Sequence, residues 1–66
     1  MTTYNKQEVN AGETIIDSYQ KFLVKDVFVL GFSSGVDTEI KKLKKQGLNP
    51  EIMYGDKGES IIVVRV

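Results

Sequence analysis

Between Glu13 and Leu23 the apolar positions are Ile15, Ile16, Tyr19, Phe22 and Leu23, with Asp17, Ser18, Gln20 and Lys21 among them. Apolar residues at i, i+1, i+4, i+7 and i+8 form one face of an α-helix, so the segment is predicted helical. Asn10 is placed to cap it, with Glu13 three residues on in the capping-box position. Upstream, Thr3–Val9 alternates loosely and has β-formers at both ends, which predicts an edge strand. After a break at Lys25-Asp26, the run Val27–Phe32 has no charge and is rich in β-branched and aromatic residues. Such a run predicts a strand buried on both faces. Ser33-Ser34-Gly35 reads as a turn, and Val36, Ile40 and Leu43 recur at helical spacing over Val36–Gln46, with Gly47 as the C-cap. Asn49-Pro50 opens an extended segment, Glu51–Tyr54. Gly55-Asp56-Lys57-Gly58 makes a hairpin turn, and Ser60–Val66 is a strand apolar on both faces until Arg65.

This order, β-α-β-α-β-β, predicts one small α+β domain over residues 1–66. The apolar second and fourth strands belong in the middle of a four-stranded mixed sheet ordered 1-2-4-3, with the first and third as edges. Right-handed crossovers place both helices on one face, giving a two-layer sandwich. The other face is left bare, which predicts self-association or a protein partner.

Composition narrows the chemistry. The chain has 66 residues, 9 Lys+Arg against 9 Asp+Glu, and no His, Cys or Trp. It therefore has no disulfide, no thiolate nucleophile, no cysteine zinc site and no imidazole for a triad or proton shuttle. An enzyme is not expected, nor a cofactor or bound metal: Asp56 and Glu59 flank a turn without a third ligand. No apolar run approaches the roughly 18 residues of a membrane helix, and no membrane partner is expected. The polar N-terminus does not read as a secretory signal, which leaves the cytoplasm as the expected compartment.

The passage Val27-Phe28-Val29-Leu30-Gly31-Phe32-Ser33-Ser34-Gly35-Val36-Asp37-Thr38-Glu39-Ile40, with the element order, resembles the Alba-like family of chromatin and RNA-binding proteins. Gly35-Val36 and Glu39-Ile40 fall where that family has its small-plus-aliphatic pairs. The resemblance implies an Alba-like sandwich and nucleic-acid binding. The family's basic turns are here Asn10-Ala11-Gly12 and Phe32-Ser33-Ser34-Gly35, without Lys or Arg, and its basic arm is reduced to Gly55–Glu59. Ser33-Ser34-Gly35-Val36-Asp37-Thr38 also resembles the S-G-G-x-D-S signature of PP-loop ATP pyrophosphatases. That resemblance implies an anion-binding turn at Ser33, Ser34 and Gly35, whose amides open a helix.

Four lysines, Lys41, Lys42, Lys44 and Lys45, crowd five positions of the second predicted helix, and Lys57 sits at the hairpin tip. Flanking the buried stripe, the four face solvent and complement the helix C-terminus. They are also the candidate phosphate contacts for RNA or DNA, with a strong salt dependence expected. The expected function is thus low-specificity, non-enzymatic nucleic-acid binding. The alternative is a small protein-interaction module, a regulator or inhibitor using its open sheet face or an edge strand.

Overall fold

The computed structural model describes residues 2–66. It contains β1 (Thr2–Tyr4), β2 (Gln7–Val9), β3 (Thr14–Asp17), β4 (Gln20–Phe28), α1 (Ser33–Lys45), β5 (Pro50–Tyr54) and β6 (Ser60–Arg65). β1 and β2 form a two-stranded hairpin. The other four strands make a sheet ordered β3-β4-β6-β5, antiparallel at every pairing.

The predicted two-helix, mixed-sheet sandwich is therefore wrong. The segment expected to be the first helix is a hairpin: Ile15 faces Phe22 and Asp17 faces Gln20 across β3 and β4. Its turn residues Ser18 and Tyr19 both have positive φ, 50° and 64°. Two consecutive left-handed residues define the type I′ turn, whose twist matches paired strands. Ser-Tyr is not the usual Asn-Gly signal, so the turn is invisible while the apolar spacing mimics a helix. The expected edge strand Thr3–Val9 is likewise split by a turn at Asn5 and Lys6, with φ of 50° and 66°. β4 runs through the expected break at Lys25-Asp26, absorbing it as a bulge between Val24 and Asp26. It ends at Phe28, so Val29–Phe32 is a loop. The remaining helix begins earlier than predicted, at Ser33.

β6 holds the molecule together. Ile61 and Val63 point to one face and Ile62 to the other, each fully buried. Ile62 packs with Val36 and Leu43 of α1, and with half-buried Phe28, Ile40 and Leu48. On the opposite face Ile61 and Val63 join Ile15, Phe22, Val24 and, from the N-terminal hairpin, Val9 and Tyr4. The bare sheet face expected from sequence is thus covered by β1 and β2. Three layers result: hairpin, sheet and helix.

The hairpin is not hydrogen-bonded into the sheet as a strand. Polar contacts hold it instead. The Tyr4 hydroxyl donates to Asp17 Oδ2 at 2.6 Å. The amides of Asn5 and Lys6 donate to the two carboxylate oxygens of Asp56 at 3.0 and 2.8 Å. The Asp56 amide donates back to the Thr3 carbonyl at 2.8 Å. The Lys6 amide is the main reason the Asp56 carboxyl sits below its ordinary pKa. The Thr3 hydroxyl, the Asn5 amide and the Lys6 ammonium act the same way, and partial desolvation opposes them.

A carboxyl whose folded pKa is depressed stabilises the fold fully above its unfolded value, and the contribution is lost as pH falls through the folded one. The wild-type protein should therefore lose an Asp56-dependent part of its thermal stability below about pH 4. Asp56→Asn should start from a lower melting temperature at neutral pH and fall less between pH 5 and 2. Parallel melting curves for the two proteins would refute the latch.

Candidate functional site

Sequence-predicted contacts do not converge. Lys41, Lys42, Lys44 and Lys45 are all exposed on α1. Three of them, Lys41, Lys42 and Lys45, line a shallow depression of about 500 Å³ with Thr38 and Gln46, while Lys44 lies outside it. Lys57 sits in the β5–β6 turn, at the opposite end of the sheet from the C-terminus of α1, because β5 runs the length of the sheet between them. The five cations are not one surface. Ser33, Ser34 and Gly35 are not a free turn but the first turn of α1. The Ser34 carbonyl accepts from the Thr38 hydroxyl at 3.0 Å. Gly35 is wedged against Phe28, where an added Cβ would come within 2.9 Å of the ring. Asp37 falls beyond the first helical turn, which has no acidic residue.

Four carboxylates are occupied in contacts within the fold. Asp17 and Asp56 latch the hairpin. Buried Glu59 accepts from the Lys57 amide at 2.9 Å. Glu51 pairs with Arg65 at 2.9 Å on the surface, beside a depression of about 390 Å³ lined by Gly47–Glu51, Val64 and Arg65. Among the described residues no group of three or more acidic, His or Cys side chains is placed to hold a metal. No helix among them is long and apolar enough to cross a membrane.

What the sequence reading missed is the loop between β4 and α1. Val29, Leu30 and Phe32 are 58%, 75% and 58% exposed, although the sequence places them inside a doubly buried strand. The Phe32 amide donates to the Val29 carbonyl at 3.3 Å. Gly31 has φ +99°, as the third position of a type II turn requires, which puts Leu30 at the corner. Leu30 rests against Gly58 of the β5–β6 turn, 3.3 Å from where a Cβ would stand. Exposed Tyr54 closes the same end of the sheet, since it and Phe28 both pair with Ser60. Phe32 occupies the N-cap of α1 and offers no side-chain hydrogen bond to it. Ser, Thr, Asp or Asn would serve a helix better there. The signal that could have found this loop is Gly31, since a glycine in a strand pattern marks a bulge or a turn.

Comparison with known proteins leaves the geometry to speak alone. No family model, curated protein or solved structure matches this chain. The Alba-like resemblance is overturned by topology: one helix and two separate sheets replace the alternating β-α-β-α-β-β order. The nucleic-acid reading falls with that frame. The companion reading, a protein contact through an open sheet face or an edge strand, loses its face to the hairpin and has no observation to support it at an edge, and the self-association argued from that face loses its basis too. Nor does the PP-loop likeness find its strand–helix setting in a parallel sheet.

Proposed function

We propose that this chain is a non-catalytic binding protein that engages a protein partner through the apolar turn Val29–Phe32, flanked by Tyr54. The observation that carries the reading is the set of large apolar side chains held outward on a defined turn by Gly31 and by contact with Gly58. Scattered exposed apolar residues are ordinary, but a contiguous group on a fixed turn marks a contact surface. Phe32 strengthens the case, because at an N-cap a phenylalanine contributes less to the fold than the small polar residues it excludes. The non-catalytic part rests on the absence of imidazole and thiol groups from the sequence and on the structural duty of Asp17, Asp56 and Glu59.

A photo-crosslinking residue at position 30, illuminated in an extract of the source cells, tests it. A discrete protein adduct is expected from position 30 and not from exposed Lys44, and Phe32→Ser should remove it. No adduct, or the same adducts from position 44, would refute the surface.

A further inference from the structure

We propose that the N-terminal hairpin, β1 and β2, is a separable cover that opens as a unit before the rest of the molecule unfolds, with Asp56 as its latch. This device is independent of the apolar turn. Neither strand of the hairpin joins the ladder of the four-stranded sheet. Among the described residues its ties are of two kinds: Val9 and Tyr4 packed on the sheet, and the hydrogen bonds made with Asp17 and Asp56. Asp56 does most of the holding, because its carboxylate takes two hairpin amides while its own amide donates to Thr3.

The pivot is equally defined. Gly12 is anchored to the sheet, its amide donating to the Val24 carbonyl at 2.9 Å, and the Val24 amide donates to Glu13 at 2.8 Å. Swinging at Asn10-Ala11 would leave those bonds intact and break the latch, the packing of Val9 and Tyr4, and the one turn bond across the pivot, from the Glu13 amide to the Asn10 carbonyl at 3.1 Å. Both residues are exposed, so nothing buried has to move at the pivot. The open form would present Phe22, Val24, Ile61 and Val63, a continuous apolar strip of the sheet, while α1 kept the other face closed. Local units that lack ladder bonds and carry little buried apolar area open at lower free energy than the core. The cover thus guards a second apolar surface that the closed molecule does not show.

Native-state hydrogen exchange followed residue by residue by NMR tests the device. In the wild-type protein the amides of Asn5 and Lys6 and those paired within the hairpin should exchange together, at least about tenfold faster than the amides of Val24 and Val63. Asp56→Ala should speed the hairpin group by a further tenfold to hundredfold, roughly the worth of hydrogen bonds to a charged acceptor; full unfolding breaks the same bonds, so Val63 should speed by no more than that factor and stay the slower of the two. Asp56→Asn, which keeps one acceptor oxygen, should fall between. Hairpin and sheet amides exchanging at one common rate in the wild-type protein would overturn the proposal. So would Asp56 variants that leave the hairpin amides at their wild-type rate. Should Asp56→Ala fail to fold, the wild-type rates and Asp56→Asn still decide.

Discussion

Replacing Ile62 by alanine should cost about 2–5 kcal/mol, the range for truncating a fully buried isoleucine. A chain of this length has roughly 3–10 kcal/mol of stability in total. Ile62→Ala should therefore leave the protein marginal or unfolded at 25 °C, with its melting temperature lowered by at least about 10 °C. The reason is specific to β6. Ile62 is completely buried beneath α1, and only Val36 and Leu43 are buried with it in that cluster. So small a core has few buried neighbours to fill the space. Ile16→Ala makes the contrast: its side chain is exposed on β3, and the change should stay within about 0.5 kcal/mol. Denaturant titration followed by circular dichroism measures both. A loss below 1 kcal/mol for Ile62→Ala would contradict the packing of α1 on β6.

The second large effect is functional and leaves stability alone. Leu30→Ser with Phe32→Ser should reduce the partner's affinity by at least about a hundredfold, since central apolar anchors of an interface commonly carry 2 kcal/mol or more each. The same double variant should melt within a few degrees of wild type, because both side chains are exposed and a serine at the N-cap favours the helix. Lost binding with a retained melting temperature separates a contact surface from a structural element. If the variant unfolds, the turn belongs to the core; if it binds the isolated crosslinked partner as wild type does, the surface lies elsewhere.

The sequence made legible the elements whose signals are local and redundant. The hairpin turn Gly55–Gly58 and the apolar strand after it are where glycine spacing and β-branched residues place them. The lysine-flanked helix is there too, its N-terminus displaced to Ser33. What the sequence concealed are two type I′ turns made without glycine, at Asn5-Lys6 and Ser18-Tyr19. Strand propensity in short segments is decided by cross-strand partners, and those partners are tertiary facts. Ile15 and Phe22 are seven positions apart, a helical interval, but they face one another across a hairpin. A helix over Glu13–Leu23 gives the N-terminal strands no sheet face to cover; the hairpin does.

The candidate site fared worse for the same reason. The lysines are exposed on α1 as their flanking of the buried stripe implied, yet Lys57 lies at the other end of the sheet. By sequence, Val29–Phe32 continues the strand of Val27-Phe28 without a charge. Its release to the surface depends on β4 ending at Phe28 and on Gly31 turning the chain. Hydrophobic runs state that a segment avoids water, not whether the molecule itself or a partner removes the water.

The central claim is that both sheet faces are closed while the apolar turn is open. Solvent paramagnetic relaxation of side-chain methyl groups by a soluble gadolinium chelate measures this most directly. Strong relaxation is predicted at Val29 and Leu30, and little at Ile62 under the helix or at Ile61 and Val63 under the hairpin. Ile61 and Val63 relaxing as strongly as Leu30 would contradict the account, for the sheet would then have a bare face and the turn would have no claim over it.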